Sequence, residues 1–277
     1  SLTNMNVPVS GGIWSTTFDI IGAGFDDGNI DISADVIDDA GNPANDMHTI
    51  ILDTTDPTIS IVRPLADTLI NAEEAMNLII GGLSSEEPVS LVITDTDGAT
   101  VDILANDIPT NSGDEWVDVV DISSLSDGDI FITATTSDAA GNSVSTTPQR
   151  IILDKTPPII TINTPLDGEV IDESEETSVI ISGITDLPPG SIVTVEVSDA
   201  GSAVALDLVV TASNTFSGDF DLSSLDDGNL LVTASGSDLA GNEGSDTINM
   251  SKDSILPVLT IDDPLEGDNI INDQEST

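Results

Sequence analysis

The chain has 277 residues and carries 51 Asp and Glu against 4 Lys and Arg, a formal net charge of −47. So negative a surface repels phosphate and anionic lipid, which argues against nucleic acid and bare membrane as partners. There is no cysteine, hence no disulfide and no thiolate site. No apolar run approaches the roughly 18 residues of a membrane-spanning helix. Acidity of this degree accompanies disorder only where hydrophobic residues are scarce. Here 38% are hydrophobic, mainly Ile, Val and Leu in alternation, so the chain is expected to fold with its carboxylates on surfaces and in loops.

The opening "SLTNMNVP" has no signal-peptide pattern and reads as falling inside a domain. Trp14 and Phe18 come next, on a stretch expected to form a strand with one large aromatic in the core. Asp27-Gly28 is a turn signal that starts "NIDISADVID", where Ile30, Ile32, Ala34 and Val36 alternate with Asp31, Ser33 and Asp35. A period of two with one apolar face is a half-buried antiparallel strand. Its outward acids Asp31 and Asp35 serve solubility. The turn "DDAGN" follows, then a short strand ending at Asp53, then Pro57 and Pro64.

The same landmarks return further along. The turn glycine is Gly41, then Gly141, then Gly241, a spacing of 100 repeated once. Trp116 and Phe216 repeat Trp14; Val120 and Phe220 repeat Phe18. Asp127-Gly128 and Asp227-Gly228 start "DIFITATTSD" and "NLLVTASGSD", and Asp154 and Asp253 precede Pro158 and Pro257 by four residues, with Pro165 and Pro264 beyond. A period of this size is a domain, well above the roughly 20–50 residues of solenoid repeats. Each period holds about seven short strands with turn signals every 8–12 residues and no helical periodicity, the pattern of an immunoglobulin-type sandwich. The expected architecture is all-β: tandem Ig-like seven-stranded antiparallel β-sandwiches in an extended array. Residues 1–53 match the C-terminal half of a domain, 57–153 and 157–253 are complete domains, and 257–277 match the first strands of another.

Strings such as "TATTSDAAGN" followed by "LDKTPP", and "LDTTDP", resemble the Ig-like extender repeats of giant bacterial surface adhesins, the biofilm-associated and RTX-type family. The resemblance covers essentially the whole chain. It implies a secreted, cell-surface stalk of tandem sandwiches whose partners are the adjacent domains of one long chain, with Ca²⁺ at the junctions. The copies differ in the linker, where Asp56 gives way to Pro157 and then Leu256.

Calcium is also reached from the residues. In a seven-strand sandwich the turn between strands F and G lies beside the incoming linker, and the turns between A and B and between E and F lie beside the outgoing one. The F–G turns carry Asp38, Asp138 with Asn142, and Asp238 with Asn242; the E–F turns carry Asp27, Asp127 and Asp227. The linkers supply Asp53, Asp56, Asp154 and Asp253, and the A–B turns Asp67 and Glu74, then Asp167, Asp172 and Glu175. Asp26, Glu86, Glu87 and Asp186 fall near the same ends. Carboxylates gathered this closely repel one another unless a cation sits among them. Ca²⁺ accepts about 6–8 oxygen ligands in flexible geometry. Asp95, Asp97 and Asp107, outside this phase, read as solvated turn residues.

The expected function is therefore that of a non-catalytic extender stiffened by calcium. A carbohydrate- or host-surface-binding module is the alternative, against which stands an aromatic content of 3% with no Tyr. A filament whose half-domains complete one another between chains is a variant. An enzyme is disfavoured: the sole histidine, His48, falls on a strand among surface-type residues.

Overall fold

The computed structural model describes residues 1–4, 6–63, 68–108 and 114–260. Pro64, Asp67, Pro264 and all of the 257–277 segment beyond residue 260 lie outside the described residues. The described chain is almost wholly β and divides into two compact units, Ser1–Asp154 and Lys155–Thr277.

The first unit opens with β1 (Gly28–Ile37) and β2 (Pro43–Leu52), an antiparallel hairpin in unbroken register from Gly28↔Leu52 to Ile37↔Pro43. Among the described residues these two strands form a sheet of their own. A two-stranded sheet has no second layer to bury its apolar face, and Val36 and Ile51 are exposed. Trp14 and Phe18 are also exposed, at 48% and 41%, which corrects the core role expected of them. Among the described residues ahead of β1 the only strand pairing is a bridge between Ser10 and Ile13, and no sheet among them covers these rings.

A sandwich follows, built from β3 (Ile59–Arg63), β4 (Leu69–Ile70), α1 (Ala72–Ala75), β5 (Leu78–Ser84), β6 (Val89–Asp95), β7 (Thr100–Ile108), β8 (Glu115–Val120), β9 (Gly128–Ser137), β10 (Ser143–Ser145) and β11 (Gln149–Leu153). One sheet has the order β3-β5-β8, the other β4-β11-β9-β6-β7 with β10 on β9. The second unit repeats the plan with β12 (Ile160–Thr164), β13 (Glu169–Asp172), β14 (Val179–Thr185), β15 (Ile192–Ser198), β16 (Ala203–Val209), β17 (Thr215–Phe220), β18 (Gly228–Ser237) and β19 (Glu243–Asp253). Its sheets run β12-β14-β17 and β13-β19-β18-β15-β16. The first strand of each repeat changes sheet midway: β12 pairs antiparallel with β14, and β13 pairs parallel with β19. Pro165 lies in the break, where its missing N–H costs the ladder nothing.

The alternation read from the sequence is the core. Ile130, Ile132 and Ala134 of β9, and Val232 and Ala234 of β18, are fully buried. Trp116 and Phe216 fill the space between the sheets, both 0% exposed. Burying a ring such as Phe216 is worth on the order of 2–3 kcal/mol. Each aromatic sits opposite a glycine, Gly82 and Gly183, in the strand register. A Cβ at Gly82 would stand 1.8 Å from the Ser60 carbonyl oxygen, and one at Gly183 2.1 Å from that of Thr161. Glycine is required there because backbone and ring close in from two sides. The Trp116 indole N–H is buried with no hydrogen-bond partner among the described residues, a deficit that Phe216 cannot have.

One pair of positions differs sharply between the sandwiches. Leu153 of β11 pairs with Gly128, and Lys252 of β19 pairs with the equivalent Gly228. Both side chains are buried. Lys252 Nζ donates to the carbonyls of Leu222 (3.1 Å) and Leu225 (2.8 Å) and forms an ion pair with Glu176 at 2.6 Å. Glu176 stands where the first sandwich has buried Ala75: Leu222 N donates to the Glu176 carbonyl at 2.7 Å, as Ile122 N does to that of Ala75 at 2.8 Å. An apolar pair has become a buried charge pair.

Asp95 corrects another expectation. It is 5% exposed, and its carboxylate accepts from the backbone N–H of Asp97, Ala99 and, across to the next turn, Ser126. Asp199 does the same for Gly201, Ser202 and Asp226. These acids tie the turn after β6 or β15 to the turn before β9 or β18. A solvated turn residue would leave those N–H groups to water.

Candidate functional site: the linker and the turns beside it

In each repeat the aspartate of the Ala-Gly-Asn turn closes the turn on itself. Asp38 Oδ1 accepts from Ala40 N (2.9 Å) and Asn42 N (2.8 Å), while Oδ2 accepts from Asn42 Nδ2 at 2.9 Å. Asp138 accepts from Gly141 N (2.8 Å), Asn142 N (2.9 Å) and Asn142 Nδ2 (2.7 Å). Asp238 accepts from Asn242 N and Asn242 Nδ2, both at 2.9 Å. The glycine between them has φ of 89°, 99° and 90° in the three copies, a left-handed conformation that favours glycine. Donation from the Asn42 and Asn142 amides, the largest cause in each case, holds the Asp38 and Asp138 carboxyls below the usual carboxylate range. Turn closure alone thus accounts for the spacing of Asp and Asn in this motif.

The aspartate before β1 faces the linker. Asp27 Oδ1 accepts from Thr54 N (2.9 Å) and Thr54 Oγ1 (2.7 Å), and Oδ2 from Thr55 Oγ1 (2.6 Å). The threonine hydroxyls, Thr55 first, lower its pKa. Asp53 Oδ1 accepts from Thr55 N at 3.1 Å, and the Asp53 carbonyl accepts from Asn142 Nδ2 at 3.2 Å. Asp27, Asp53, Asn142 and Asp138 therefore belong to one hydrogen-bonded chain running through the linker. The second unit repeats its first link: Asp227 Oδ1 accepts from Ser254 N (3.1 Å) and Ser254 Oγ (2.8 Å). That serine lowers the Asp227 pKa, helped by the nearby charge of Lys252.

The other candidate residues are distributed along the turns and linkers. Asp253 accepts from Ile255 N (3.2 Å), and Asp167 accepts from Asn249 N (2.9 Å), pinning the start of β13 to β19. Asp154 N donates to the Ile70 carbonyl at 2.9 Å. Asp127 precedes Gly128 in the turn before β9, and Asp56 adjoins buried Pro57. Asp186 accepts from Ile159 N at 2.7 Å. Glu74 and Glu175 are capping groups, reaching back to the N–H of Asn71 and Asp172. Thr54, Thr55 and Ser254 escape a search for acids; their signal was a hydroxyl just after the linker aspartate.

Whether calcium fits this arrangement turns on where the oxygens point. Both oxygens of Asp27 and of Asp138 face N–H and O–H donors. Among the described residues no three acidic or histidine side chains converge as a ligand set. As hydrogen-bonded here, the side chains do not form the shell of roughly 6–8 oxygens that Ca²⁺ requires.

The chain is similar over 82% of its length to a solved "Ca2+-stabilized adhesin" of an Antarctic bacterium, with 24% identity, TM-score 0.46 and 57% of that chain covered. It is similar to a tetra-tandem repeat from the extending region of a large adhesion protein, with 28% identity, TM-score 0.34, 82% of this chain and 57% of that one. A third likeness is to a 1.5-MDa bacterial ice-binding adhesin, with 25% identity, TM-score 0.42, 83% of this chain and 76% of that one. The chain thus spans little over half the length of the first two. A comparison with curated protein sequences gives no match. Residues 114–219 match the family model of the bacterial Ig-like domain (group 3), a span that runs from just ahead of β8 into its counterpart β17, about one period of the repeat.

Proposed function

We propose that the chain is a non-catalytic extender segment of a bacterial cell-surface adhesin, working outside the cell as a spacer between other domains. The domain limits 1–53, 57–153, 157–253 and 257–277 are part of this reading, as are neighbouring Ig-like domains of one long chain as its partners. The observation that carries it is the 100-residue phase of turn and linker residues, with the linker at Asp53–Thr55 hydrogen-bonded both to the hairpin before it and to the Asn142 turn after it. A spacer needs its inter-domain angle held, and this is where the repeated residues are spent. The family match over one period and the adhesin likenesses support the same reading.

Calcium at the junctions is the finer part of the proposal. The net charge of −47 and the phased acids favour a divalent counter-ion. Binding would require Asp27 or Asp138 to turn away from its present donors. On the calcium reading, calcium titrated into the EDTA-treated chain raises its melting temperature and reduces the spread of its dimensions in small-angle scattering. No change in either quantity removes calcium from the reading; specific capture of a glycan by the same chain overturns the spacer role itself.

A further inference from the structure

The threonines after Asp53 suggest a different source of stiffness. We propose that the linker is held by a hydrogen-bond clasp built from the chain's own residues, with the aspartate ahead of the β1 strand as its acceptor and the linker hydroxyls as its donors. No cation is part of it.

The groups of the clasp satisfy one another closely. The Asp27 carboxylate takes three hydrogen bonds of 2.6–2.9 Å from Thr54 and Thr55. Bonds to an ionised acceptor are short and roughly twice as strong as neutral ones. The donors are a backbone N–H and two β-branched hydroxyl side chains, which have few rotamers to lose. Thr55 N is taken by Asp53 Oδ1, so both threonines are fixed at backbone and side chain. From the other side, Asn142 Nδ2 caps the Asp53 carbonyl while its partner Asp138 holds the same amide at 2.7 Å. Linker residues 53–55 are thus bonded in both directions.

A second instance argues against coincidence. In the second unit Asp227 grips Ser254 through the same two atoms, backbone N–H and hydroxyl, at the same place one residue past the linker aspartate. Thr54 and Ser254 have the hydroxyl in common, whereas the copy after Asp154 has Lys155 at this position, so the clasp belongs to two of the three linkers. For Asp27 and Asp227 the place of the Asp-Gly turn is accounted for by these bonds to the outgoing linker without a metal ligand set. The clasp and the calcium reading compete for Asp27 at this linker, and a measurement made first in EDTA and then in Ca²⁺ tells them apart.

The chain has no cysteine, which permits a direct test. Spin labels are placed through Met47→Cys on β2 and Val119→Cys on β8, both exposed, and the inter-label distance distribution is measured by pulsed electron paramagnetic resonance in EDTA. The unmodified linker should give a narrow distribution that added Ca²⁺ does not narrow further. Thr54→Val with Thr55→Val keeps the branched shape and removes both hydroxyls, and should broaden the distribution about two-fold. Asn142→Ala should broaden it less, because the Asp27 side survives. A width unchanged by the double valine variant overturns the clasp. A distribution that is broad in EDTA and narrows only with Ca²⁺ also overturns it, and returns the stiffness to the ion. Far-UV circular dichroism of each variant separates loss of the clasp from loss of the sandwich.

Discussion

The two sandwiches share a plan but fill one buried pair of positions differently. In the first, Ala75 and Leu153 belong to one hydrophobic cluster and need no partners beyond it. In the second, Glu176 and Lys252 occupy the same places, and the lysine is satisfied by Leu222 O, Leu225 O and the Glu176 carboxylate. The charged version costs more to bury, since desolvating two ions offsets much of their attraction. What it adds is cross-linking: one ammonium joins the β13–β14 turn, the β17–β18 connection and β19. It also adds positive charge near Asp199, Asp221 and Asp227, whose carboxyls are held below their usual range first by hydrogen bonds from Asp226, Ser223 and Ser254 and only lastly by this charge. In a chain with 4 cationic side chains, spending one in a buried position is a structural commitment.

That difference can be broken by exchange. Lys252→Leu alone leaves Glu176 as a largely buried, unpaired carboxylate and should destabilise the second sandwich by about 3–5 kcal/mol. Combining it with Glu176→Ala should recover most of that loss, because the pair then resembles Ala75 and Leu153. Urea unfolding of the single and double variants checks this; additive losses would show that the two residues are not coupled. A smaller contrast lies in the aromatic plugs. Trp116→Phe should cost the first sandwich about 1 kcal/mol or less, under the usual large-to-small penalty, because it also removes a buried N–H without a partner. Thermal unfolding of the two forms provides the measurement.

The finest contrast is with pH, where the sandwiches should agree. The Asp95 and Asp199 pKa values are lowered, first by the N–H of Ser126 and of Asp226. A carboxyl whose folded pKa is depressed contributes stability above its unfolded value near 3.9, and that stability is lost as pH falls through the folded value. Acid unfolding is therefore expected below about pH 4. Asp95→Asn should flatten the acid limb for the first sandwich and leave the second as it was, as followed by circular dichroism against pH.

Much of this is legible in the chain itself. Alternating residues such as Ile130 and Ile132 mark the buried face, because a strand's period of two leaves no other reading. The glycines at 41, 141 and 241 mark a turn needing a left-handed residue. Other features are hidden for physical reasons. A lysine is read as solvent-exposed, so Lys252 discloses itself only through Leu52 and Leu153 at the same phase, and through Glu176 against Ala75. Asp95 looks like any turn aspartate because burial depends on what packs above it. Trp14 carries the same signal as Trp116, yet a second layer decides whether a ring is covered. The phased acids are visible as a pattern, but sequence does not say whether a carboxylate's lone pairs face a cation or an amide. Here they face amides and hydroxyls.

The sheet change in the first strand has a mechanical consequence. Because β13 runs parallel to β19, tension entering ahead of β13 and leaving beyond β19 would slide one strand along the other, loading all of their hydrogen bonds together. An antiparallel hairpin such as β1–β2, pulled from its open end, would unzip, its bonds breaking singly and in turn. Among the described residues the parallel patch covers four residue pairs in the second sandwich, Glu169↔Met250 to Asp172↔Asp253, and two in the first, Ile152↔Leu69 and Leu153↔Ile70. The four-pair patch of the second sandwich would bear such a load as one unit.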